Sequence, residues 1–473
     1  MPSLATLSTS ETTPRPRQGL TLALLAFAQL IISIDYNIVY VALPEIASDL
    51  GFSAQNLQWV ISAYAVVFGG FLLLGGRASD LFGPRRIFAL GLALYSAASL
   101  LGALASTPGM LIAARAGQGI GGALLFPATL TLVSTCFAEG RERNRAFAVW
   151  GTAGGGGLIL GSLLGGVLTQ AFGWAAVFFV NVPLGVVGAL LAFRLIAPDA
   201  PRGAGRSLDL AGALTSTIGI TAIVFALVQG PESGWGSVSV VGTMALGAAV
   251  LAVFVAIERR VDDPLLPLGL LRDRDLTTGS LITFLFMGTF GTLLYFLTVY
   301  FQSVHGYSAM HTGFAFLVPT VAIAIGSQAA GRLATRWGIR SIMICSLVAG
   351  GVGAAIVGAT ISVDASYLAM VPGLILLGIG QGAGYTLMFG AATRNIAPAD
   401  QGIGSGIAST SQQIGGAMGL AVLVAVANSG VDGTVGDALR SATTDGLQTA
   451  IYLAVGGIAL TALVALGLRK TSL

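Results

Sequence analysis

The sequence predicts an all-α polytopic membrane protein of fourteen spans: two pseudo-symmetric six-helix bundles with two additional transmembrane helices between them. Three observations predict it. Apolar runs of about 20 residues, the length that crosses a hydrocarbon core, recur along the chain. All but two of the 23 Lys and Arg residues fall in every second gap between those runs, as expected where basic loops are held in the cytoplasm during insertion. Finally, Gly76-Arg77-Ala78-Ser79-Asp80-Leu81-Phe82-Gly83-Pro84-Arg85 aligns without gaps on Gly331-Arg332-Leu333-Ala334-Thr335-Arg336-Trp337-Gly338-Ile339-Arg340, the mark of a duplicated unit.

Composition agrees. The 473 residues are 55% hydrophobic and 9% charged, with mean hydropathy +0.86, whereas a soluble globule has roughly a quarter of its residues charged. The net charge of +3 reflects arginines confined to alternate loops, so topology accounts for it and no nucleic-acid partner is implied. Glycine, at 67 residues, is about twice the usual share, which suits close helix packing in lipid. Cys136 and Cys345 lie at or within apolar runs without metal-ligand spacing and read as small core residues. No cleavable signal peptide is evident in the polar first 19 residues.

Taken in order, a cytoplasmic tail (1–19, with Arg15 and Arg17) leads into the first span at about 20–43, which contains Asp35 and ends before an acidic gap with Glu45 and Asp49. Spans at about 56–76 and 86–106 flank the loop of Arg77, Arg85 and Arg86. A fourth at 109–136 carries Arg115 internally. After Arg141, Arg143 and Arg145 come spans at 145–170 and 176–197, completing a bundle over 20–197. Arg194, Arg202 and Arg206 precede the two extra helices, 208–229 and 238–257, separated by a gap with Glu232. The rest of the 198–275 linker, Pro264 to Asp275, is too short to span and is expected along the interface. The second bundle (276–468) has spans at 277–302, 311–332, 340–361, 366–392, 402–427 and 447–468. Arg332, Arg336, Arg340 and Arg394 lie in its basic gaps; Asp364, Asp432, Asp437 and Asp445 lie in its acidic ones. A short tail (469–473) ends the chain. Both termini are thereby expected in the cytoplasm.

Four features carry chemistry. In the 75–86 loop the glycines Gly76 and Gly83 allow a tight turn, and the Asp80 carboxylate can pair with neighbouring guanidiniums, including Arg85 and Arg86, or cap a helix N-terminus in one conformation only, a conformational latch. Thr335 replaces the acid in the second copy, so the latch is expected to be asymmetric. Asp35 lies some 20 Å along its helix, where a charge costs about 2.5–3.5 kcal/mol; an acid there can alternately bind and release a proton, or remain permanently paired. Arg115 is its natural partner, with Gln118, Gly119 and Gly122 on the same helix face. The related segment of the second half has Gly378 where Arg115 would fall. Gly157, Gly161 and Gly165 recur every four residues, a smooth stripe read as a hinge between halves. Asn37, Tyr64, Gln118, Tyr295, Gln328 and Gln412, together with Gln29, Asn181 and Gln413, are candidates for a substrate cavity or for interhelical bonds. His305 and His311 are expected at the surface. No cofactor or metal site and no nucleotide-binding loop is found; the chain has a single Lys.

The sequence Gly75-Gly76-Arg77-Ala78-Ser79-Asp80-Leu81-Phe82-Gly83-Pro84-Arg85-Arg86 resembles the signature loop of the major facilitator superfamily. Ile34-Asp35-Tyr36-Asn37-Ile38-Val39-Tyr40-Val41-Ala42-Leu43-Pro44, Tyr300-Phe301-Gln302 and Phe179-Val180-Asn181-Val182-Pro183 are similar to segments of its fourteen-span drug:proton antiporter branch. Arg115-Ala116-Gly117-Gln118-Gly119 resembles the fourth-helix motif whose buried Arg is linked to proton transfer. The glycine stripe resembles the antiporter motif, with Ser162 where that motif has Pro and Gly173-Trp174-Ala175 where the branch has Trp-Arg-Trp. The resemblance implies a monomeric secondary transporter, not an enzyme. It would exchange protons for small amphipathic compounds across a bacterial cytoplasmic membrane, coupled through Asp35 and Arg115. A facilitator of a specific metabolite or lipid-like molecule, or a non-transporting sensor with this fold, is the alternative.

Overall fold

A computed structural model describes residues 15–469 apart from 53–56, 58, 200–208, 262, 263, 265, 308, 398, 399 and 429–435. Arg202, Arg206, Ser308, Asp432, Lys470 and most of the first tail lie outside the described residues, as does the side chain of Ser162. Every regular element described is helical. Six helices form a first set: α1 (Arg15–Leu50), α2 (Trp59–Phe82), α3 (Pro84–Ala103), α4 (Pro108–Cys136), α5 (Arg141–Phe172) and α6 (Ala175–Leu195). Then come α7 (Leu210–Ser233) and α8 (Val238–Glu258). A second set of six follows: α9 (Arg274–Val304), α10 (His311–Trp337), α11 (Ile339–Thr360), α12 (Tyr367–Thr393), α13 (Gln401–Ala427) and α14 (Asp437–Ala465). Among the described residues, 13 helices are long and apolar enough to cross a membrane; α5 has 32 residues but a shorter continuous apolar stretch, Leu163–Phe172.

Why the helices end where they do is local chemistry. Gly83 (φ 89°) and Gly338 (φ 79°) occupy equivalent places in the repeated loop, and both take the left-handed conformation that glycine tolerates. Each turns the chain by one residue between long helices, α2 into α3 and α10 into α11. Thr107 caps α4 through Met110 N–H, Ser237 caps α8, and Asp273 caps α9 through Asp275 and Leu276 N–H.

Charged residues displaced several expected boundaries. α1 continues past 43 to Leu50, so Glu45 and Asp49 lie on its last turns rather than in a loop, where they accept the Trp174 backbone N–H (3.2 Å) and indole N–H (3.1 Å). α14 begins at Asp437, ten residues before the expected 447, so Asp437, Arg440 and Asp445 are helical. Arg440 bonds the Val304 carbonyl at 3.0 Å. α10 runs on through Arg332 and Arg336 to Trp337. Among the described residues of Pro264 to Asp275, a 3₁₀ turn, Leu270–Arg272, precedes the start of α9, and Leu266 N–H is held by the Glu258 carboxylate at 2.8 Å.

Within the first set α1 packs on α5, and α3 and α2 on α4; within the second α11 and α10 pack on α12, and α9 on α13. The sets meet along two antiparallel seams, α2 against α13 and α5 against α10. α7 packs on α2 and α13, and α8 packs on α7.

Candidate functional site

Asp35 of α1 is completely buried, and both of its oxygens receive donors. Arg115 Nη1 lies 2.7 Å from Oδ2, while Gln118 Nε2 (3.1 Å) and Asn181 Nδ2 (2.8 Å) donate to Oδ1. Arg115 and Gln118 project together because they stand three apart on α4; Asn181 comes from α6. The guanidinium is itself fixed: Nε donates to the Val60 carbonyl oxygen at 2.8 Å, Nη1 to Gln118 Oε1 at 2.9 Å, and the Tyr64 ring lies 4.6 Å away. Gln118 also donates to Ser99 Oγ at 2.7 Å. A buried ion pair holds only when hydrogen bonds replace the lost water around it, and this shell of amides, hydroxyl and backbone does so.

Two of the residues named for a substrate cavity or for interhelical bonds belong to this cluster. Tyr64 and Gln118 are buried walls of the charge cluster. Among the other candidates, Tyr295 is 47% exposed and lies within electrostatic range of Tyr40, which is itself 47% exposed one turn along α1 from the 41% exposed Tyr36. A phenol of the second set thus faces the two that α1 carries after Asp35. Tyr36 and Tyr40 escaped the sequence reading, although their i, i+4 spacing directly after Asp35 was a usable signal. Asn37 sits at the α1–α5 seam beside Gly161. Gln328 bonds Thr152 across the α5–α10 seam at 3.1 Å, and Gln412 pairs with Tyr385. His311 is exposed as expected, but His305 is half-buried with its Nε2 2.9 Å from the Tyr300 hydroxyl.

At the end of the bundle that carries the arginine loops, Asp80 adopts the second of the two arrangements its sequence allows. Its carboxylate accepts Gly402 N–H (2.7 Å) and Ile403 N–H (2.8 Å), the free donors at the N-terminus of α13. Close approach makes this possible: a Cβ at Gly76 would lie 2.3 Å from the Gly402 carbonyl oxygen, and one at Gly402 2.3 Å from that of Gly76. Arg85 and Arg86 are engaged elsewhere, their backbone N–H groups donating to Asp199 (2.9 and 3.3 Å) and the Arg85 side chain to the Phe193 carbonyl. In the second copy Thr335 accepts from Asn144 Nδ2 at 3.0 Å, an uncharged contact on the other seam. Asp199 and Asp275 were both missed. Asp275 is buried at the start of α9, where it binds Arg394 (3.2 Å), Asn395 and the Arg469 N–H (3.1 Å), tying together the ends of α12 and α14.

The glycine stripe does not lie between the halves. A Cβ at Gly157 would fall 3.0 Å from the Leu30 carbonyl oxygen, at Gly161 2.4 Å from that of Ile34, and at Gly165 2.7 Å from that of Ile38, all on α1 of the same set. The expected hinge is a tight intra-set contact; Gly151 and Gly155, earlier on α5, face Thr386, Ser327 and Ile323 of the second set. Gly161→Val is expected to destabilise by about 1–3 kcal/mol, since a backbone carbonyl cannot yield as a side chain can. Thermal unfolding of the purified protein checks this, with Gly166→Val, where nothing lies within 4 Å, expected to be near neutral.

Long apolar helices in two sets, locked at one end and enclosing a buried ion pair, define a polytopic membrane transport protein. The Major Facilitator Superfamily model matches residues 25–420, and the chain belongs to that superfamily. It is 41% identical over 463 residues to the puromycin resistance protein pur8 of Streptomyces alboniger, covering 96% of this chain and 91% of that one. It is 37% identical over 420 residues to the cephamycin export protein CmcT of Amycolatopsis lactamdurans, covering 87% and 86%. Its fold is similar to that of the human organic anion transporter MFSD10 (TETRAN), with TM-score 0.67 and 17% identity over 96% of this chain and 100% of the other. The chain is a transporter and not an enzyme.

Proposed function

We propose that the chain is a proton-coupled exporter of small amphipathic compounds, working by alternating access as a fourteen-span monomer in a bacterial cytoplasmic membrane. The observation that carries the coupling is the Asp35–Arg115 pair at 2.7 Å, fully buried within the first set of helices. Protonating Asp35 removes the charge that holds Arg115, while the Val60 carbonyl and the Tyr64 ring keep the guanidinium in place. The cluster thus has two charge states. With the arginine loops read as cytoplasmic, the Asp80–α13 and Asn144–Thr335 contacts close the cytoplasmic end, so this state faces outward, where a proton enters and a substrate leaves. The membrane potential supplies about 2.3 kcal/mol per charge per 100 mV, which drives accumulation without a nucleotide site. The relatives' names, with puromycin resistance and cephamycin export among them, support antibiotic-like substrates.

A resistance and efflux panel in an exporter-deficient host tests this reading. The wild-type chain is expected to raise tolerance to some amphipathic compounds and Asp35→Asn to none; substrate movement indifferent to an imposed pH difference would establish facilitation instead. Sidedness is tested separately. Without Cys136 and Cys345, a membrane-impermeant thiol reagent is expected to label the exposed Ser441→Cys from outside intact cells, and Glu142→Cys only after permeabilisation. The opposite pattern would invert the topology.

A further inference from the structure

Inward from the Asn144–Thr335 contact, the seam between α5 and α12 is filled with aromatic rings. Trp150 of α5 is fully buried and stacks on Tyr385 of α12, with centroids 5.9 Å apart and planes 9° from parallel. Phe389 of α12 meets the same indole edge-on at 5.5 Å and 88°, and Phe126 of α4 touches both, at 5.5 Å from Trp150 and 5.8 Å from Phe389. The rings come from both sets of helices, so any motion that parts the sets must unstack them.

Aliphatic side chains would fill such a seam equally well. Trp150 instead brings an indole N–H, and Nε1 has no hydrogen-bond acceptor among the described residues despite complete burial. Buried indole donors are ordinarily paired. A donor left unmatched where two moving surfaces meet is explained if its acceptor arrives once they separate. Stacking has the same implication: when Tyr385 withdraws, a bare indole face is left, and a flat π system is the group that covers it best.

We propose that the Trp150–Tyr385 stack is the inner gate of the transport path. A flat aromatic substrate bearing a hydrogen-bond acceptor opens it by replacing Tyr385 on the indole and accepting from Nε1. This rests on the exporter reading for the separation of the two sets, and it assigns the substrate class and its recognising residue.

The test uses the full chain, purified in detergent, and two fluorescent probes: doxorubicin, whose flat ring system carries carbonyl acceptors, and proflavine, a flat cation without one. Trp150→Phe keeps the ring and removes the donor, and should weaken doxorubicin binding about tenfold while shifting proflavine less than twofold. Trp150→Leu should weaken both. Tyr385→Leu removes the competitor for the indole face and should tighten both several-fold, a direction that a merely structural role would not produce. The proposal is overturned if wild type binds neither probe, if Trp150→Phe leaves doxorubicin affinity unchanged, or if Tyr385→Leu weakens binding as Trp150→Leu does. A wild-type chain that binds in this pattern yet exports no compound would sink the exporter reading instead, so the two failures are distinct.

Discussion

Asp35→Asn is expected to abolish substrate-driven proton movement in proteoliposomes, a loss of at least tenfold, while the protein still inserts. The reason lies in the donor arrangement. Arg115 donates to one oxygen of the Asp35 carboxylate, and Gln118 and Asn181 donate to the other. An amide supplies one acceptor and one NH₂, so either orientation sets its NH₂ against a donor. The protonated acid has the same mismatch. Protonation therefore obliges the cluster to rearrange, which is what coupling requires, and Asn holds it permanently in that frustrated condition. Arg115→Ala should uncouple as well but destabilise more, by about 3–5 kcal/mol, because it leaves a buried carboxylate without its counter-charge. Thermal unfolding separates the two variants. An Asp35→Asn protein with wild-type pH-driven exchange would remove Asp35 from the proton path.

Asp80→Asn is expected to slow transport about five- to tenfold without loss of folded protein. A cap of this kind contributes about 0.5–2 kcal/mol, and a charge facing the α13 N-terminus about 0.3–1 kcal/mol more. At about 1.4 kcal/mol per factor of ten, losing part of that moves the balance between closed and open forms several-fold. The readout specific to a latch is access: Asn144→Cys, beside the cleft lined by Arg143, Thr335 and Arg394, should react faster with a thiol reagent in the Asp80→Asn background. Unchanged transport and unchanged reactivity together would reduce the loop to a simple turn.

Much of this architecture was legible because lipid imposes a strong, simple rule on composition. Apolar runs located the helices to within a few residues wherever a gap was short and free of helical charges, as between α11 and α12. The rule failed where charges ride on a helix: Asp437, Arg440 and Asp445 looked like a loop, and Glu45 and Asp49 like an external gap. Asp35 and Arg115 stood out as charges in apolar runs, whereas Asn181 was one polar residue among several and Ser99, equally part of the cluster, gave no signal. The stripe of Gly157, Gly161 and Gly165 announced a close approach but not which helix makes it. Periodicity describes a helix's own surface; its neighbour is set by the tertiary arrangement, which turned that surface to α1 rather than to the second set.

The lock at Asp80 has one further consequence, for how the protein tolerates change. Its receiving side consists of main-chain N–H groups at Gly402 and Ile403, which every amino acid but proline possesses. Genetic drift at position 403 can replace the isoleucine with another apolar residue of like size and leave the bond intact, whereas at 402 the crowding against Gly76 excludes any side chain. The donors themselves are thus inherited with the helix, and selection has to keep only the acid on α2 and the two glycines that let the backbones meet. A comparison of residue identities between the two partners would detect no covariation here, even though they touch.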